Sequence, residues 1–114
     1  MGAFGAHALK PRITPESIEV LKTGVLYLFI HSLACLLIAS LSWFPGNTRL
    51  LKLAGIAFLL GITLFSGSLF IISTKSVTGI EIGFFGIVTP LGGLCFIMGW
   101  ISLAMWSLKA IRSV

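Results

Sequence analysis

Charge is what this sequence has least of. Only 10% of its 114 residues are Asp, Glu, Lys or Arg, against about 25% in an ordinary soluble domain. So few charges cannot solvate a globular surface, which excludes a soluble enzyme and a disordered linker. Acids are the scarcest: Glu16, Glu19 and Glu81 are the whole set. The net charge is +5, yet the basic residues are scattered along the chain rather than gathered. A nucleic-acid surface is therefore not expected.

The same scarcity removes the usual catalytic constellations. No acid stands within an apolar run, so there is no paired-carboxylate site and nothing to orient a histidine in a hydrolytic triad. Two histidines and two cysteines, Cys35 and Cys95, have no zinc spacing. Both cysteines fall inside apolar stretches, where a thiol acts as a small filler. The glycine pairs lack the lysine and the strand–helix setting of a phosphate loop. No enzyme activity, cofactor or metal is expected, and no residue is assigned a catalytic role.

What is present is apolar length. The charges divide the chain into three long uncharged runs, at 23–48, 53–74 and 82–108, of 26, 22 and 27 residues. A helix crossing a hydrocarbon core of about 30 Å needs roughly 20 residues. Each run suffices for one crossing and none for two. The expected fold is all-α, a single integral membrane bundle with three transmembrane helices.

Local chemistry sets the expected boundaries. Thr14-Pro15-Glu16 combines a hydroxyl cap, a proline at the first helical position and an acid in the first turn. This predicts a helix over 15–43, ended by Phe44-Pro45-Gly46-Asn47. A second is expected over about 50–73. Thr89-Pro90 repeats the cap-plus-proline signal and predicts a third over 90–111, leaving 77–88 as a glycine-rich apolar connector. Tyr27, Trp43 and Trp106 are expected near interfaces. Lys and Arg tie at four on each side, so the positive-inside rule leaves the orientation undecided.

Within the spans, small residues mark packing faces. Ala54, Ala57, Gly61 and Ser68 share one face of the second helix with Gly67 beside them, and Gly92, Gly93, Cys95 and Gly99 mark the third. Such spacing lets transmembrane backbones approach closely. The polar candidates are His7, Tyr27, His31, Ser66 and Thr89. His31 lies two turns into the first span, with Tyr27 and Cys35 one turn away on the same face. A buried histidine in a membrane suggests a proton path, a metal or a haem. The plainer alternative is a neutral imidazole in an interhelical hydrogen bond.

Several segments in order carry a family resemblance. Gly2-Ala-Phe-Gly-Ala-His7, Thr23-Gly24, His31, Leu64-Phe-Ser-Gly-Ser-Leu69, Val88-Thr-Pro-Leu-Gly-Gly93 and Gly99-Trp100 resemble the small membrane proteins of domain of unknown function 423, related to the transmembrane protein 256 family. The resemblance implies four transmembrane helices in a bacterial cytoplasmic or inner membrane, and no known activity. Members usually carry a full helix ahead of the GAFGAH segment. On that pattern Met1–Leu9 is the end of an earlier helix, and both termini and the Arg49–Lys52 region face the cytoplasm.

The expected partners are the lipid bilayer and other membrane subunits or further copies of the chain. The leading expectation is a structural or accessory component of a membrane assembly. The alternative is a proton-coupled or small-solute carrier using His31 and His7, and a third reading is haem ligation by the same two histidines.

Overall fold

The computed structural model describes residues 2–114, and the side chains of all of these except 4–6. Met1, where the expected helix remnant begins, lies outside the described residues. The chain is 81% helical, with no strand among the described residues. A short helical stretch, α1 (Gly2–Phe4) and a π-helical turn (Gly5–Leu9), precedes α2 (Pro15–Leu41). The second span is α3 (Arg49–Gly61), a π-helical turn (Ile62–Ser66) and α4 (Gly67–Ser73) in one continuous rod. The short α5 (Lys75–Thr78) leads to α6 (Phe85–Arg112).

Three rods, Pro15–Leu41, Arg49–Ser73 and Phe85–Arg112, are long and apolar enough to cross a membrane. At 1.5 Å per residue they are about 38–42 Å long, enough for the hydrocarbon core and both interfaces.

Thr14 starts α2 as its sequence suggests. Its extended backbone (φ −70°, ψ 158°) lets Oγ1 accept from Ser17 N at 3.2 Å, with Pro15 in the first turn. At the wet end of the same helix Lys22 Nζ meets Glu19 Oε1 at 2.7 Å. Thr14→Ala should lower stability by about 1 kcal/mol. Amide exchange would report this first at Ser17, and unchanged protection there would show that the cap is idle.

Two boundaries differ from expectation. Helix α2 ends at Leu41 rather than 43, and Ser42–Gly46 forms the break, with Gly46 at φ +144°. The third helix begins at Phe85, five residues before the expected 90. Thr89 is not its cap. Its hydroxyl lies 3.0 Å from Phe85 O inside the helix, and Pro90 sits in the second turn. A proline at the sixth helical position removes a single backbone bond, and the turn before it is closed all the same, with Val88 N donating to Phe84 O at 3.3 Å. The connector shrinks to 79–84 after α5, which ends on Gly79 in the left-handed region (φ 69°).

The rods are arranged up, down and up in one layer, so the molecule is a slab of 55 × 27 × 16 Å. The Arg49–Ser73 rod lies in the middle. Its core comprises Leu51, Ala54 and Phe58, packed with Ala34 and Ile38 of α2 and Phe96 of α6. At one end Leu9, Ile13 and Leu21 form a second cluster that takes in Phe70 of α4. The outer faces of α2 and α6 present exposed Leu, Ile and Phe, the surface a bilayer requires.

Candidate functional site

The middle of the slab is built from aromatic rings and the glycines that make room for them. A Cβ on Gly99 would stand 2.5 Å from the Phe58 ring, and one on Gly61 would collide with the Phe96 ring. A Cβ on Gly92 would collide with Phe65 N and come within 2.9 Å of Phe65 Cα. Two phenyl groups thus occupy sockets left by glycines on the facing helix, and at Gly92 the Phe65 backbone itself takes the space a side chain would need. On the other side of the rod, Gly24 of α2 faces Leu69 and Ser66 O at 3.3 and 3.5 Å. Gly67 and Gly93, grouped with the packing glycines by the sequence, have nothing within 4 Å. Neither lies in a helix contact within the chain.

His31 stands at the centre of these rings and is 3% exposed. Its imidazole stacks on Phe96 with centroids 3.6 Å apart and planes 11° from parallel. The Phe58 ring lies 5.3 Å away and Tyr27 5.8 Å away. Tyr27 in turn packs on Phe65 at 4.6 Å, so its ring belongs to this cluster. Both ring nitrogens of His31 are engaged: Nδ1 is 2.8 Å from Tyr27 O, and Trp100 Nε1 donates to Nε2 at 3.1 Å.

These partners fix the tautomer. An indole N–H only donates and a carbonyl only accepts, so Nε2 must carry the lone pair and Nδ1 the proton. The ring is a neutral imidazole with both nitrogens satisfied. The Trp100–His31 bond joins α6 to α2 across the face of the middle rod. Sequence reasoning placed Tyr27 beside His31 but missed Trp100, Phe58 and Phe96. The position of Trp100 inside an apolar run was the available signal, since an indole N–H at membrane depth finds no water and needs an acceptor from the protein.

The other polar candidates separate. Ser68 is buried and shares a 2.6 Å bond with Thr89 across the α4–α6 contact. Each hydroxyl also lies within reach of a carbonyl of its own helix, Phe65 O and Phe85 O. One therefore donates across the interface and the other into its own helix. His7 is exposed on the N-terminal segment and does not join the cluster. Among the described residues no three of His, Cys, Asp and Glu come together as a metal site.

Ser66 closes the π-helical turn, is 4% exposed, and its Oγ has no hydrogen-bond partner. A wide turn changes the register of the side chains that follow, which brings Ser66 inward along with Ser68. An unpartnered buried hydroxyl costs about 1–3 kcal/mol. Ser66→Ala should therefore raise stability by about 1 kcal/mol in detergent unfolding. A fall of the same size would mean that the hydroxyl has a partner.

A fold of three membrane-spanning rods held by aromatic rings in glycine sockets defines a small helical integral membrane protein. The sequence pattern of the family described as protein of unknown function (DUF423) matches residues 1–93. The chain belongs to this family. It is 38% identical over 109 residues to the UPF0382 membrane protein YwdK of Bacillus subtilis, covering 96% of this chain and 85% of that one. To a UPF0382 membrane protein of Haemophilus influenzae it is 36% identical, covering 96% and 83%. To the UPF0382 inner membrane protein YgdD of Escherichia coli it is 30% identical, covering 98% and 81%. No solved structure matches the chain.

Proposed function

We propose that this protein is a non-catalytic structural or accessory component of a membrane assembly, seated in a bacterial cytoplasmic or inner membrane. One observation carries the reading: both nitrogens of the only histidine within the spans are engaged inside the chain, among aromatic rings that leave it 3% exposed. A group that relays protons or takes a ligand needs a free nitrogen facing water or solute. His31 instead ties two helices to each other. The slab is one helix layer thick, so the exposed Leu53, Ile56 and Leu60 of the middle rod leave a face for a neighbour that a larger assembly would cover.

The test is mild-detergent extraction of the tagged full chain from native membranes, followed by cross-linking. Recovery in constant proportion with another membrane protein, or with a second copy, is the expected result. Recovery only as an isolated monomer would count heavily against an assembly role.

A second reading, a proton-coupled or small-solute carrier, is favoured by a cleft of about 680 Å³ that reaches Tyr27, His31 and Trp100 between α2 and α6. Flux through proteoliposomes that falls with His31→Ala would support it. Absent flux, or flux indifferent to the substitution, would remove it.

A further inference from the structure

The two ends of the slab differ in a way that the count of basic residues conceals. All three acids, Glu16, Glu19 and Glu81, lie at the end where α2 begins, α4 stops and α6 begins. There they accompany Lys10, Arg12, Lys22 and Lys75, and Glu19 pairs with Lys22. The opposite end, where α2 stops, α3 begins and α6 ends, carries Arg49, Lys52, Lys109 and Arg112 with no acid. Neither the first turn of α3 nor the last turn of α6 holds a counter-charge.

This acid-free end contains a cleft of about 460 Å³ between the 42–48 break and the last turns of α6. Pro45, Asn47, Arg49, Trp106, Lys109 and Ser113 line it. Two cations from helices distant in sequence thus converge on one cavity, with amide and hydroxyl side chains beside them. The helix dipole accounts for Lys109 and Arg112 at the end of α6, but it disfavours Arg49 in the first turn of α3. An anion in the cleft would offset that conflict. Trp106 sets the depth, because indole rings favour the headgroup level of a bilayer.

The geometry points to a binding site for the phosphodiester headgroup of an anionic phospholipid, held by Arg49 and Lys109 in this cleft. Charge complementarity selects the occupant, since a zwitterionic headgroup brings its own cation to two unpaired ones. Arg49 supplies a planar fork to the phosphate oxygens and Lys109 a mobile point charge. The site is independent of the accessory reading above and stands or falls separately from it.

The experiment is native mass spectrometry of the purified full chain, titrated with phosphatidylglycerol or phosphatidylcholine. A parallel arm offers inorganic phosphate to the protein in phosphatidylcholine nanodiscs. The expected preference for phosphatidylglycerol is about thirtyfold, about fivefold for each basic side chain. Arg49→Gln with Lys109→Gln should bring it close to one. Lys10→Gln with Lys22→Gln, at the opposite end, should leave it intact. A preference unchanged in the first pair, or lost equally in both, would overturn the site. Phosphate binding as tightly as the lipid would assign the cleft to a free anion and overturn the lipid. If the first pair loses its helical spectrum, Arg49→Lys with Lys109→Arg decides. Retained preference then supports the site and lost preference overturns it.

Discussion

Gly92→Ala is expected to lower stability by about 2 kcal/mol or more, while Gly93→Ala, one residue on, should raise it by about 0.5–1 kcal/mol. The opposite signs follow from what each new methyl meets. At Gly92 it meets the Phe65 backbone, with Cα 2.9 Å and Cβ 2.8 Å away. A side chain can turn aside, but a backbone cannot, so α6 must retreat from the middle rod. That retreat also loosens the Phe58–Gly99 and Phe96–Gly61 sockets in the same seam. At Gly93 nothing lies within 4 Å, so only the better helix propensity of alanine remains. Unfolding in mixed micelles, followed by the helical signal, measures both. Two changes of the same sign would contradict a seam locked at Gly92.

His31→Ala should cost about 3 kcal/mol. It removes a ring stacked at 3.6 Å on Phe96, opens a cavity among four rings, and leaves the Trp100 N–H without its acceptor. Trp100→Phe should cost about 1 kcal/mol, since it keeps an aromatic body beside Phe58 and loses only the bond. The double variant should fall short of the sum by about 0.6 kcal/mol, the average found for hydrogen bonds between membrane helices, and by no more than about 1.7 kcal/mol. Strict additivity would show that the two side chains do not interact.

Much of this was written in the sequence. Long uncharged runs fix the number of crossings because a bilayer has one thickness, and Thr14-Pro15 fixes the start of α2 because its cap is local. Thr89-Pro90 misled because the same local signal sits inside a helix that starts a turn earlier, where the Thr89 hydroxyl bonds Ser68 across the α4–α6 contact instead of capping. The π-helical turn at Ile62–Ser66 was invisible, since nothing in those five residues marks a widened turn. The glycine sockets were half legible. Gly61, Gly92 and Gly99 stood out as small residues, but so did Gly67 and Gly93, and size alone cannot tell a facing glycine from an outward one. The aromatics can. Phe58-x2-Gly61-x3-Phe65 on the middle rod is the reverse of Gly92-x3-Phe96-x2-Gly99 on α6, so two antiparallel helices place each phenylalanine against a glycine. Gly67 and Gly93 fall outside that mirrored pattern. Of the polar residues, His31 was conspicuous, whereas its acceptor role toward Trp100 depends on a contact across 69 positions.

That contact decides whether His31 is a structural tie or a working group. Nitrogen-15 NMR of the histidine-labelled protein in nanodiscs at neutral pH reads it directly. A proton on Nδ1, a bare Nε2 and a coupling from the Trp100 indole proton to Nε2 are the predicted result. A proton on Nε2, or an Nε2 exchanging with water, would contradict the tie and return His31 to the candidates for transport.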